Sequence, residues 1–169
     1  LQIVEGRKPV IAKVHGAAFA AGCQLVASCD LAYSTKDAIF ATPGVNIGLF
    51  CSTPMVAVSR KISKKHMMKM LLTGEPIKAN YAKEIGLIND CFSKSRINSE
   101  ILKIAKKIAS KSNLTIKIGK KAFYKQLEMP LKKAYSYASK VMTANMMAID
   151  AKEGISAFLE KRKPVWKNK

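Results

Sequence analysis

HGAAFAAGCQLVASCD (His15–Asp30) follows a short β-branched run, PVIAKV (Pro9–Val14). The run has the length and branching of a buried strand. His15-Gly16 reads as a turn, and from Ala20 the pattern is helical, with Leu25, Val26 and Cys29 on an apolar side. A helix that opens on Ala20, Ala21 and Gly22 packs few side-chain atoms, but it lets another molecule approach its backbone closely. Its first amides have no partner within the helix, and the helix dipole favours negative charge there. A carbonyl oxygen that gains charge during a reaction needs such a preorganised donor. Tight packing of a helix start against a neighbouring strand calls for the same small residues, so the pattern alone leaves both explanations open.

Outward from this segment, LAYST (Leu31–Thr35) alternates and reads as a strand, and AIFATPG holds a second short strand stopped at Pro43-Gly44. Ser52 or Thr53, followed by Pro54, is the expected start of the next helix. PMVAVSRKI and KKHMMKMLLTG read as helices, the second ended by Gly74. KANYAKEIGLI is a short helix ending at Gly86, followed by the strand LINDCF. Beyond Ser93 only helices are expected, the first with Ile101, Ile104, Ala105, Ile108 and Ala109 on one face and lysines on the other. The chain therefore divides into an alternating α/β segment, residues 1–93, and a helical segment, residues 94–169.

The 169 residues suffice for one domain, or for a core with a helical appendage, and the 49% hydrophobic content supplies a core. No apolar run has the length of a membrane span, and a soluble protein is expected. Of 30 Lys/Arg and 11 Asp/Glu, the first 60 residues carry only 5 and 3, so most of the +19 charge lies in the later helices. Such a surplus favours anionic partners. The lysines are nevertheless spread over several helices without an interleaved aromatic stripe, which reads as a solvated surface and not as a nucleic-acid site. The basic tail EKRKPVWKNK reads the same way. Four cysteines without a CxxC pair and only two histidines argue against a zinc site and for free thiols in a reducing compartment. Cys51 has no histidine in a setting suited to activate it as a nucleophile.

The stretch KPVIAKVHGAAFAAGCQLVASCDLAYSTKDAIFATPGVNIGLF resembles the signature region of the enoyl-CoA hydratase/isomerase (crotonase) superfamily. LTGEPIKANYAKEIGLIND resembles a later segment of that family, and GISAFLEKRKP its closing helix. The resemblance implies an α/β fold: a spiral core of ββα units with a C-terminal helical region that forms trimers, often paired into hexamers. It implies an acyl-CoA thioester as substrate or ligand, with no other cofactor and no metal. Two backbone amides would form an oxyanion hole, one of them that of Ala21. The other, with the segment that cradles the adenine, would lie upstream of Leu1, so the N-terminal part of the fold is expected to be missing from this chain. A transit peptide would be hidden by the same absence; the resemblance suggests mitochondria, with the cytoplasm as the alternative.

The departures from the family pattern carry the functional expectation. Hydratases of the family place one glutamate three residues after the oxyanion position and a second after the proline of the later turn. Here those positions are Gln24 and Gly44. The two carboxylates hold and activate the water that adds across the double bond. Glutamine can orient a group but cannot take a proton at neutral pH. Ala21 and Gln24 are therefore the candidate catalytic residues, and Gly44, reduced to making room, and Asn46 are candidate substrate-binding residues. Asn46, Ser52 and Thr53 lie in the loop that lines the acyl pocket in the family, and each also suits a helix cap or the loop backbone. His15 suits a structural turn. By the resemblance, Phe158 and Lys161 meet the coenzyme A of a neighbouring subunit. The expected protein binds acyl-CoA in fatty-acid metabolism with weak or no conventional hydration. Decarboxylation of a malonyl-type thioester and a non-catalytic binding or assembly role are the alternatives.

Overall fold

The computed structural model describes residues 1–169. In chain order the elements are α1 (Gln2–Glu5), β1 (Ile11–Val14), β2 (Ala17–Phe19), α2 (Ala21–Ser28), β3 (Leu31–Thr35) and β4 (Ile39–Ala41). A 3₁₀ turn (Pro43–Ile47) is followed by α3 (Ser52–Val58), α4 (Lys64–Thr73), β5 (Ile77–Lys78), α5 (Ala79–Glu84) and β6 (Asp90–Phe92). Four helices complete the chain: α6 (Ile97–Ala109), α7 (Asn113–Leu127), α8 (Leu131–Met146) and α9 (Ile149–Leu159). Two compact units form, one of residues 10–103 and one of residues 1–9 with 104–169. The secondary structure becomes all-helical after Ser93, whereas the division by packing falls later, inside α6, and the first nine residues join the helical unit.

In the α/β unit, Gly16 adopts φ +84°, a left-handed conformation open to glycine, and sends the chain from β1 into β2. The two strands enter different sheets: β1 joins β3 and β6 in an all-parallel sheet, while β2 pairs parallel with β4, which pairs antiparallel with β5. Strand, strand, helix is thus the repeating unit, first as β1-β2-α2 and then as β3-β4-α3. Asp30, just past α2, accepts the Val10 amide at 2.7 Å and so fixes the start of β1.

Several local features differ from the sequence reading. β2 and β5 were not anticipated; with three and two residues they exist through their long-range partners and not through local propensity. LAYST does not alternate: Ala32, Tyr33, Ser34 and Thr35 are all buried, because β3 is the middle strand of a parallel sheet covered on both faces. Leu25 is 57% exposed, and the inward face of α2 is Cys23, Val26 and Ala27. α3 begins at Ser52, as expected, though its N-cap is Cys51 and the Ser52 hydroxyl is directed to the Phe50 carbonyl. On α6 only Ile97 is fully buried, and Ala109 is exposed. Gly74 and Gly86, at φ +63° and +84°, end α4 and follow α5 as their positions in the sequence suggest.

In the helical unit α7 and α8 pack together, and α9 carries a charged clasp for the C-terminal tail. Asp150 is buried; it accepts the Ser112 hydroxyl and the amides of Lys167 and Asn168. Ser112 also caps α7 by accepting the Thr115 amide. Glu153 pairs with Arg162 at 2.6 Å and accepts the Val165 amide at 2.8 Å. Trp166 packs against Gly154 and donates its indole N–H to the Ser110 carbonyl at 2.8 Å. Apolar burial is sparse here: beyond residue 103 the only fully buried apolar side chains are Ala134 and Ala157.

Candidate functional site

The start of α2 is built on an uncommon backbone. Ala20 has φ +45° and ψ −111°, a region that alanine adopts only under constraint, at a cost on the order of 1–3 kcal/mol. Two bonds hold it there: its amide donates to the Ala41 carbonyl at 3.0 Å, and its carbonyl accepts the Gln24 amide at 3.0 Å. Between them stand the first-turn amides of Ala21, Gly22 and Cys23, donors that the helix cannot satisfy itself. Ala21 is exposed at the head of the helix. Cys23 beneath it is buried, and burial, reinforced by nearby Cys51, pushes its thiol up to about 12. It is an un-ionised apolar plug under the helix start.

Gln24 lies one turn along α2, half-buried; its carbonyl accepts the Ser28 hydroxyl at 2.7 Å, and its side-chain amide has no intrachain hydrogen bond. It offers two N–H donors and one carbonyl acceptor, and no titratable proton.

Gly44 sits in the 3₁₀ turn after β4. Its carbonyl accepts the Leu49 amide at 3.0 Å, and its amide points to Cys51 Sγ at 3.3 Å. A Cβ placed on Gly44 would stand 2.7 Å from the Leu49 carbonyl oxygen, 3.0 Å from Cys51 Sγ and 3.2 Å from the Cys51 amide. The turn is closed on its own backbone, and glycine is what fits there. Cys51 is buried in this closure, with its sulfur against the Gly44 amide. Asn46 is exposed, with its side-chain amide packed against Gly74, where a Cβ would meet its Oδ1 at 2.8 Å. Ile47, Leu49 and Phe50 continue the turn as an exposed apolar rim.

The structure brings the α2 start and the Gly44 turn together. β2 and β4 run parallel with Phe19 opposite Ala41, so both strands end at the same edge, and the Ala20–Ala41 hydrogen bond ties the two exits. Both neighbouring aspartates are engaged elsewhere. Asp30 is taken by the Val10 amide. Asp37 is exposed and pairs with Lys94 at 2.9 Å, which holds its carboxyl below the usual range. His15 is exposed beside the Gly16 turn, and Ser52 and Thr53 are exposed on the first turn of α3. Phe158 and Lys161 belong to the helical unit: Phe158 is 81% exposed on α9, and Lys161 follows the helix at φ +54°. The strain at Ala20 and the packing of Cys51 on Gly44 were not anticipated. No residue type announces either, since alanine is not a residue expected at positive φ and the Cys51–Gly44 contact is made by the folded turn.

All 169 residues match the family described as "Enoyl-CoA hydratase/isomerase". The chain is 51% identical over 158 residues to the mouse "Enoyl-CoA hydratase domain-containing protein 3, mitochondrial", with 94% of this chain and 53% of that protein covered. The crystal structure of human enoyl coenzyme A hydratase domain-containing protein 3 superposes with a TM-score of 0.95 at 50% identity, covering 98% of this chain and 65% of that one. A Mycobacterium smegmatis enoyl-CoA hydratase gives a TM-score of 0.95 at 49% identity, covering 97% and 64%. The chain spans about half the length of the curated relatives it matches.

Proposed function

This chain belongs to the enoyl-CoA hydratase/isomerase family, and from that premise we propose that it binds acyl-CoA thioesters through the first turn of α2 without performing conventional hydration. The observation that carries this reading is the pairing of an intact donor with an absent base. The Ala21 amide stands at a helix head held by a strained, doubly bonded Ala20, while the two family carboxylate positions are Gln24 and a glycine with no space for a side chain. A thioester oxygen placed at that helix head accepts the Ala21 hydrogen bond and gains the favourable end of the helix dipole. A second donor would come from sequence beyond this chain. The exposed rim of Ile47, Leu49 and Phe50 suits an acyl chain, with Asn46 beside it.

In the assembled protein Phe158 and Lys161 serve the coenzyme A of a neighbouring subunit, Lys161 as a point charge for phosphate. The exposed apolar side chains of α8 and α9 support a homotrimer or hexamer, since the helical unit buries so little apolar surface alone. Relatives named as mitochondrial support that compartment, and the family match supports a place in acyl-CoA metabolism.

A second reading is favoured by Gln24. Its amide has no hydrogen bond within the chain and can orient the carboxylate of a malonyl-type thioester. Loss of that carboxylate as carbon dioxide leaves its bonding pair on the α-carbon as an enolate, held by the oxyanion donor, and water supplies the proton. This reaction needs no carboxylate base. The experiment is turnover of the full-length protein on a panel of enoyl- and malonyl-type acyl-CoA thioesters. Carbon dioxide release without hydration selects decarboxylation; saturable binding with no turnover selects a binding or assembly protein; hydration at rates typical of the family overturns both.

A further inference from the structure

One concavity of the α/β unit lies away from the α2 head. It is an open depression of about 340 Å³ between α4 (His66, Lys69, Met70, Thr73), the Glu75-Pro76 turn, β5 (Ile77, Lys78) and Tyr81 of α5. That volume sits at the lower end of ligand pockets, enough for one ring with a charged substituent. Its apolar surface is offered by Pro76, exposed, and Ile77, half-buried, with Met70 packed behind them at 2% exposure.

The polar groups around this surface are arranged asymmetrically. Tyr81 Oη lies 2.9 Å from His66 Nδ1, and the rings meet edge to face at 5.7 Å. This bond occupies Nδ1 and leaves Nε2 free; with the phenol as donor, the neutral imidazole carries its proton on Nε2 and presents an N–H. Lys69 and Lys78 add two ammonium groups against the single carboxylate of Glu75, and none of the three is engaged in an ion pair. The Thr73 hydroxyl is already committed, donating to the Lys69 carbonyl at 2.8 Å and accepting the Glu75 amide at 3.2 Å. It shapes the wall and does not bind. An apolar surface beside two unpaired ammoniums and a fixed imidazole is complementary to one chemistry.

We propose that this pocket is a binding site for a small anion with an apolar body, an aromatic or short aliphatic carboxylate or phosphate, whose charge is received by Lys69, Lys78 and His66 Nε2 while its body rests on Pro76 and Ile77, in front of Met70. The claim stands apart from thioester binding, and its test does not depend on turnover.

The test is a titration of the full-length protein followed through the Met70 methyl and His66 ring signals in NMR, with phenyl phosphate, benzoate, inorganic phosphate and benzyl alcohol as probes. Phenyl phosphate or benzoate is expected to shift both signals saturably, with dissociation constants of about 1 mM or below, equivalent to some 4 kcal/mol. The tighter of the two identifies the head group. Benzyl alcohol, which lacks the charge, and inorganic phosphate, which lacks the body, are each expected to bind at least about tenfold more weakly. The exposed double variant Lys69→Gln/Lys78→Gln should keep the Met70 signal of the free protein and lose about tenfold or more in affinity. Absence of saturable shifts with both phenyl phosphate and benzoate overturns the proposal. So does equal affinity of the double variant, or inorganic phosphate binding as tightly as phenyl phosphate.

Discussion

The carbonyl oxygen of Leu49 stands 2.7 Å from the position any Cβ on Gly44 would occupy, while the Gly44 carbonyl accepts the Leu49 amide. This closure leaves no space for a side chain at 44 without movement of the turn. A glutamate written into the sequence at 44 would have to open the turn before it could hold a water. Gln24 is different: it projects from a regular helix, and a carboxylate there costs no backbone change.

Gly44→Ala is the smallest probe of the closure. Overpacking of this kind costs typically about 1–3 kcal/mol, and the unfolding free energy from urea titration should fall by that amount. Gln24→Glu should leave stability nearly unchanged. The pair Gln24→Glu/Gly44→Glu should show the destabilisation of the Gly44 change and little hydration. An unchanged denaturation midpoint for Gly44→Ala would mean that the turn yields easily.

The strain at Ala20 gives a second expectation. Ala20→Gly should stabilise the protein by about 1 kcal/mol or more, since glycine adopts φ > 0 without the alanine penalty. Ala21→Pro is a poor probe of the donor despite its place in the first turn of the helix. A residue before proline is pushed to the extended region, whereas Ala20 sits at φ +45° and ψ −111°. That variant should lose more than about 1 kcal/mol of stability, while Ala21→Ser loses little. Replacing the Ala21 amide by an ester through semisynthesis removes the N–H alone. In a binding protein, thioester affinity should then fall by about 1–1.5 kcal/mol; in an enzyme, transition-state stabilisation should fall by about 3–4 kcal/mol.

The C-terminal clasp is acid-sensitive in a defined direction. Burial works to raise the Asp150 carboxyl, but the Ser112 hydroxyl and the amides of Lys167 and Asn168 outweigh it and hold the group below its ordinary value. Arg162, with the Val165 amide, pulls Glu153 down to about 2. Both folded values lie below those of the unfolded chain, near 4, so their stabilisation is fully present above about pH 4 and is lost as the pH falls toward 2. Trp166, the single tryptophan, reports the clasp. Its emission should shift to the red through that interval, and Asp150→Asn should produce the shift already at neutral pH. Emission unchanged by the substitution would show that the tail is held by Trp166 packing alone.

The open faces of α8 and α9 carry Leu131, Tyr135, Met142, Met146, Phe158 and Leu159, each more than half exposed. Sedimentation of the full-length protein should show a trimer or hexamer. A charged substitution on this exposed apolar face, Tyr135→Glu or Met146→Lys, should weaken assembly by about tenfold or more. A monomer at micromolar concentration would contradict the assembly.

Much of the α/β unit was legible because its signals are local. Gly16, Gly74 and Gly86 mark a turn and helix ends through φ > 0, and the small-residue opening of α2 placed Ala21 correctly at its head. What stayed hidden depends on long-range neighbours. β2 and β5 exist through pairing with β4, and the burial of all of Ala32–Thr35 needs cover on both faces of the sheet that holds β3. Leu25 lies one residue off the inward face of α2, a rotation too small to settle from eight helical residues. At the candidate site, the sequence carries the expectation that Gln24 and Gly44 stand where hydratases have carboxylates. It could not reveal that Gly44 is walled in by Leu49 and Cys51, nor that Ala20 holds a glycine-like conformation, since both are properties of the closed backbone.

The measurement that bears most directly on the central claim is a titration of the full-length protein with crotonyl-CoA, with binding heat and loss of enoyl absorbance followed on the same samples. One acid–base group is typically worth about a hundredfold to ten-thousandfold in rate, and in the proposed reading Gln24 and Gly44 stand in place of both carboxylates. Saturable binding with hydration near the uncatalysed background is the expected result. Hydration at a rate typical of the family would contradict the account, because it would require a base other than the residues at 24 and 44.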